Sequence, residues 1–242
     1  MAIPRIAFIF AITAFLAGLG VATFSELRIF LPALLRGAVV TVQVSVLSIA
    51  LFLLTAFVAG IARAFGTAPV RWSAAIFVEV FRGTSLLVIL FWFFFVLPEF
   101  GVVMPPMVAA VLGIGLNFGA YGAEVVRGAV QSVPRGQTEA SIALNMTQFK
   151  RMTRIIIPQA VVITIPGLSN LTIELIKATA LVSAVTLTDI TFASVQQNQL
   201  HYRTLEIFAI TVLLYYCLAQ FIRFGGGWLE DHFSRHLKPR SA

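Results

Sequence analysis

Two ionisable side chains sit where the surrounding sequence is almost wholly apolar. Glu174 and Lys177 lie three residues apart in the run Ala160–Ala193. On a helix that spacing places both on one face, close enough to pair. If the helix crosses a bilayer, a charge at its centre costs about 2.5–3.5 kcal/mol on insertion scales, so neither should face lipid. With Asn170 and Thr179 nearby, the group could line a route for a polar solute. The alternative is a neutralised pair that fixes helix packing near the cytoplasmic boundary. Asn117, Tyr121 and Glu124 follow the i, i+4, i+7 pattern of a single helical face. That face could border a solute route or a neighbouring helix. Glu79 and Arg82 stand at i, i+3, and Arg82 can reach up to an aqueous interface along its own stem, which favours a structural role.

Bond-making chemistry has no comparable candidates. The chain holds one cysteine, Cys217, and three histidines, and no spacing among them resembles a metal site or permits an intrachain disulfide. There is no Ser/His/Asp elbow, no pair of carboxylates in a polar setting and no glycine-rich phosphate loop ending in Lys-Ser or Lys-Thr. The expectation is a chain with no catalytic residues, no metal and no cofactor of its own.

The elements that must hold these residues are set by composition. Apolar residues make up 59% of the 242, charged residues only 11%, and the mean hydropathy is +0.95. A soluble domain carries roughly 25% charged residues. The net charge of +7 would suggest nucleic acid in a soluble protein, but the basic residues fall between apolar runs, where membrane topology uses them. Six segments approach the roughly 20 apolar residues needed to span a bilayer: Ile6–Phe24, Ala38–Ile61, about Ile76–Leu97, about Pro105–Ala123, about Ala160–Ala193 and Leu205–Gly225. Gly225, Gly226 and Gly227 read as the stop of the last. The fold class is therefore an all-α integral membrane protein, a polytopic bundle of about six transmembrane helices.

The excess of Lys and Arg in cytoplasmic loops orients the set. With both termini cytoplasmic, the inner segments hold Arg5, Arg63, Arg71, Arg82, Arg127, Arg135, Lys150, Arg151 and Arg154 together with Arg223 and the basic tail, and the outer ones only Arg28, Arg36 and Arg203. The tail, Trp228–Leu237, repeats Leu or Phe every fourth residue, as a short helix lying on the inner leaflet would. The loop from about Val125 to Pro158 is polar but structured in composition. Residues Gln137–Arg154 read as a short amphipathic helix with Ile142, Met146 and Phe149 along one stripe. A cytosolic helix with an apolar stripe must bury it on its own bundle, on lipid or on a partner.

That loop contains Glu139-Ala140-Ser141, then Asn145, then Ile155-Ile156-Ile157-Pro158. The pattern resembles the EAA loop of binding-protein-dependent ABC importer permeases, E-A-A, three residues, G, nine residues, I-x-L-P. Ser141, Asn145 and Ile157 depart from it, and Asn is the next best residue to Gly where the backbone needs positive φ. Leu35-Arg36-Gly37, Phe81-Arg82-Gly83-Thr84-Ser85 (the group usually has Pro in place of Ser85), Ala120–Gly128, Val133–Ala140 and Ile176–Leu181 are similar to segments of the polar-amino-acid permease group. The likeness runs over about residues 33–237. It implies a permease core at 33–225 with its coupling loop at 127–158, and a cytoplasmic basic tail at 226–242. The apolar run Ile6–Phe24 lies outside the group's usual five-helix core and reads as an extra N-terminal transmembrane helix at 1–27; a basic residue, an apolar run and small residues near Ala22 could also describe a secretory signal.

The resemblance further implies a bacterial inner-membrane protein that works as a dimer with a second, homologous or identical permease. A cytoplasmic ATPase would bind the ATP and receive a coupling helix at Glu139–Phe149, with Glu139, Ala140, Ser141, Asn145, Ile155, Ile157 and Pro158 as the coupling residues. Pro158 would open the next membrane segment, where a missing N–H is harmless. A periplasmic solute-binding protein would deliver polar amino acids, opines or compatible solutes such as ectoine. Lipid surrounds the bundle, and nucleic acid is no partner. Two other classes remain open on the residues alone. A membrane-embedded enzyme would use Glu174, Lys177 and Tyr121. An ion-coupled secondary carrier would be expected to show an internal repeat, and none is found in this chain.

Overall fold

A computed structural model describes the backbone of residues 24–234 and the side chains of residues 29–224. Among these residues all regular structure is helical. The α-helices are α1 (Phe24–Phe65), α2 (Ala68–Gly83), α3 (Leu86–Phe91), α4 (Pro106–Ser132), α5 (Arg135–Ala143), α6 (Gln148–Arg151), α7 (Ile157–Ala178), α8 (Ile190–His201) and α9 (Thr204–Ser234). Four stretches are long and apolar enough to cross a membrane: Ile29–Phe65, Pro106–Ser132, Gln148–Val185 and Thr204–Phe224. A fifth candidate joins α2 to Leu86–Phe100 across a 103° bend. The expected first span, Ile6–Phe24, lies outside the described residues apart from Phe24, as does the tail beyond Ser234.

Glycines fix the directions of the helices. In membranes helices associate through close backbone approach rather than hydrophobic drive. A Cβ on Gly115 would meet Leu51, one on Gly119 Thr55, one on Gly122 Ala56 and Phe52, and one on Gly60 Val126. The numbers rise together, so α1 and α4 run parallel. The chain between them must return to its starting side, and the bent α2–α3 pair therefore crosses as one broken span. Gly167 packs on Val125 and Leu168 on Gly122, so α7 runs antiparallel to α4. The start of α9 packs with Phe30 and Leu34 near the beginning of α1, and its later residues Leu218 and Ile222 pack against the main core further along, so α9 runs in the direction of α1. Five crossings result among the described residues, with Phe65, Ser132 and Gln148 on one side, termed here the loop side.

The elements depart from the sequence expectation in five places. The supposed outer loop before Ala38 is helical from Phe24, because Phe30 and Leu34, one turn apart, bury against Ala193, Ile207 and Ile210. The third span is broken where Thr84 (φ −106°, ψ 139°) and Ser85 (φ −61°, ψ 135°) are extended. Its aromatic run then widens into a π-helical turn, Trp92–Val96, and tightens into a 3₁₀ turn that ends at Gly101 with φ 82°. The run Ala160–Ala193 is interrupted not at Glu174 and Lys177 but beyond them. α7 passes into a 3₁₀ stretch, Thr179–Val185, which stops at Thr186 in the left-handed conformation (φ 62°). The helix expected over Gln137–Arg154 is split by Asn145. Finally, α9 keeps helical backbone through Gly225–Gly227 to Ser234, since glycine permits a left-handed stop at a cost of about 1 kcal/mol in a helix but does not require one.

Candidate functional site

The polar loop on the loop side folds into a protruding elbow. α5 ends in a Schellman closure, in which Asn145 N–H donates to Ile142 O at 2.8 Å and Met146 N–H donates to Ser141 O at 3.0 Å. Asn145 takes φ 53°, the left-handed conformation that this closure requires. Thr147 then caps α6, its hydroxyl accepting from Lys150 N–H. Nearly every residue from Pro134 to Lys150 is exposed, including Glu139, Ala140 and Asn145. Ile142, Leu144 and Phe149 are 58%, 74% and 75% exposed. Ser141 is the exception: it is buried, and its hydroxyl donates to Thr138 O at 2.7 Å. Its small side chain therefore serves close approach to its own bundle. A cluster of Ala129, Val133, Ile156 and Ala160 anchors the base of the elbow, with Ile155 and Ile157 half-buried beside Ile156 and Pro158 exposed.

Next to that base lies a layer of charge. Glu124 on α4 pairs with Arg63 at the end of α1, and Arg127 grips its other oxygen at 2.8 Å and 3.1 Å. Arg127 also donates to Gln131 at 2.9 Å. Glu124 is thus held in a three-residue ion network between helices. Arg63, absent from the expected site, is what holds it. Its place in the last turn of a helix near Glu124 becomes visible only once α1 and α4 are known to run parallel.

The other two residues of that α4 face hold the break between α2 and α3. Breaking a helix leaves carbonyls at its C-terminal end without donors. Asn117 is buried and donates from Nδ2 to Phe81 O at 2.6 Å, and the Tyr121 hydroxyl donates to Arg82 O at 3.4 Å. The Arg82 guanidinium lies 5.3 Å from the Tyr121 ring centre, a cation–π geometry. Thr84 completes the set, its hydroxyl donating to Val80 O at 2.8 Å.

The α7 residues face elsewhere. Asn170, Glu174 and Lys177 are exposed along one stripe, while Thr179 is buried with its hydroxyl donating to Ile176 O at 2.6 Å. Glu174 and Lys177 do not pair, contrary to what their spacing allows; no ion pair joins them among the described residues. The structure therefore does not gather the two polar sets into one site: the α4 set is used in internal contacts, and the α7 stripe is open.

One polar joint escaped the sequence reading. Asp189 is fully buried and caps α8, accepting from Thr191 N–H at 3.1 Å and Phe192 N–H at 2.8 Å. It also accepts from the Tyr215 hydroxyl at 2.9 Å, and the adjacent Ile190 N–H donates to the Thr41 hydroxyl at 3.2 Å. Gly37 allows the contact, since a Cβ there would strike the Asp189 carbonyl. An Asp directly before an apolar helical run is the N-cap signal that could have found it.

Residues 52–235 match the family model for a binding-protein-dependent transport system inner membrane component. The chain is 39% identical over 212 residues to the Probable amino-acid ABC transporter permease protein y4tF of Sinorhizobium fredii (strain NBRC 101917 / NGR234), covering 85% of this chain and 89% of that one. It is 34% identical over 196 residues to the Glutamine transport system permease protein GlnP of Escherichia coli, covering 80% and 90%. Its fold is similar to that in a crystal structure of an amino acid ABC transporter with histidines, with a TM-score of 0.81 at 28% identity over 87% of this chain and 99% of that one.

Proposed function

The chain belongs to the family of binding-protein-dependent transport system inner membrane components, and from that premise we propose how its parts work. It is the permease subunit of an ABC importer, a multi-pass membrane protein of the inner membrane. It is not an enzyme: a separate ATPase subunit hydrolyses ATP, and a solute-binding protein is the other family partner. Membership removes the secondary carrier and the membrane enzyme as readings.

The observation that carries the proposal is the exposed elbow. Ile142, Leu144 and Phe149 project from a loop pinned at its base and locked at Asn145. Three large apolar side chains on a rigid cytosolic knob call for a cleft to cover them, and the ATPase is the partner that must be mechanically joined to the bundle. In this reading Glu139, Ala140 and Asn145 lie at the contact, and Ser141, Ile155, Ile157 and Pro158 brace it. The loop side is cytoplasmic, in keeping with its Arg63, Arg71, Arg127, Lys150, Arg151 and Arg154. Five crossings then put Phe24 outside, and Ile6–Phe24 crosses once more so that the N-terminus is cytoplasmic. The unit divides into that added helix at 1–27, the core at 33–225 and the tail at 226–242. Two permeases, identical or homologous, face one another with the α7 stripe along the solute path, and the solute is an amino acid, as the names of the relatives suggest.

Glu139→Lys is the direct test. The variant should insert in the membrane at the normal level and fail to co-purify with the ATPase, with solute uptake lost. Normal uptake by the variant would remove Glu139 from the contact.

A further inference from the structure

Glu174 and Lys177 carry opposite charges, both are exposed, and neither has an ion-pair or hydrogen-bond partner among the described residues. They sit in the interior of a span. Gly167 packs on Val125 and Leu168 on Gly122, within a turn of the Arg63–Glu124–Arg127 layer. Glu174 lies seven residues beyond Gly167, about 10 Å further along α7. Its neighbours Leu175 and Ile176 are buried in the main core with Phe52, Leu90 and Ile114. Exposed charges at that depth do not face hydrocarbon; they meet water, another polypeptide or a solute. Their spacing would let them pair with each other, yet each is left free.

We propose that Glu174 and Lys177 together read an α-amino acid as a zwitterion, the Glu174 carboxylate accepting from its ammonium group and the Lys177 ammonium donating to its carboxylate. This rests on the importer reading above and names the chemistry of its solute path. Each charge of the solute pairs with the opposite charge on the helix, so no charge is left without a partner at a depth where that is costly. A solute with only one of the two charges leaves one side chain unbalanced. The pair is blind to the rest of the solute, so discrimination among amino acids lies elsewhere.

The test uses the assembled transporter, permease with ATPase and binding protein, in proteoliposomes, with the standard L-amino acids and octopine as probes. Glu174→Gln and Lys177→Met should each lower uptake of the transported amino acid by about tenfold or more, the worth of one charge-assisted contact. Complex assembly and ATP hydrolysis in the absence of solute should be unchanged. The exchange variant, Glu174→Lys with Lys177→Glu, should recover part of the uptake, because a zwitterion can bind reversed. Wild-type uptake in either single variant overturns the proposal. So does loss of permease–permease assembly in step with uptake, which would assign the pair to a subunit contact. An assembled, ATP-hydrolysing wild type that moves none of the probes also overturns it. A wild-type chain that recruits no ATPase removes the importer arrangement itself, and this inference with it.

Discussion

At the scale of single residues, Asn145 shows how a substitution within a motif can keep its physics. The left-handed backbone there costs a residue with an ordinary side chain about 1–2 kcal/mol, and Asn lowers that cost through local hydrogen bonding. Asn145→Gly should leave the elbow intact and coupled transport unchanged. Asn145→Ala should loosen it, lowering transport per ATP hydrolysed in proteoliposomes while the ATPase still co-purifies. Asn117 teaches the opposite lesson. Its spacing with Tyr121 and Glu124 was legible as one face, but its task was not, because the carbonyl it serves exists only once α2 has broken 36 residues away in sequence. Asn117→Leu should leave the Phe81 carbonyl buried without a donor and cost about 1–3 kcal/mol, read as a lower melting temperature in detergent. Tyr121→Phe, whose lost bond is longer and more exposed, should cost less.

At the scale of elements, length and apolar content located five spans and composition explains why their ends were misjudged. Hydropathy reports what a bilayer tolerates, and it is silent about which polar termini pack. The stretch before Ala38 reads as an outer segment carrying Arg28 and Arg36, yet Arg36 simply bonds back to Pro32 O at 3.3 Å and the helix continues. The bend between α2 and α3 was missed for a specific reason. Proline forces the residue before it into extended backbone, and in this chain Ser85 stands where such a proline would have marked the break. Thr84 and Ser85 adopt that extended geometry regardless, held by donors from α4. Restoring the signal supplies a check: Ser85→Pro should be tolerated, with membrane level and melting temperature unchanged or slightly raised, since Ser85 already has φ −61°. The elbow was legible as a site from its motif, and its split was implied by Asn145 alone.

At the scale of the whole molecule, the parallel course of α1 and α4 makes the bent α2–α3 pair a crossing, so that the described residues cross five times. The basic residues then gather on one side with the exposed elbow. A single cysteine at Leu144, in a Cys217→Ser background, should react with a membrane-impermeant thiol reagent in inside-out vesicles and not in intact cells. Co-expression of the ATPase should protect it. Labelling from outside the cell would invert the assignment of sides and leave the elbow with no cytosolic partner to receive it.

The odd number of crossings among the described residues has a further consequence for anyone who would build with this unit. The helical core begins on one face and ends on the other, so two copies cannot be spliced tail to head in one polypeptide while keeping the same orientation unless something carries the strand back over. A single greasy linker of membrane-spanning length meets that need, and the run Ile6–Phe24 has the length for it. A tandem gene of two such units should assemble only when the second retains that leading stretch.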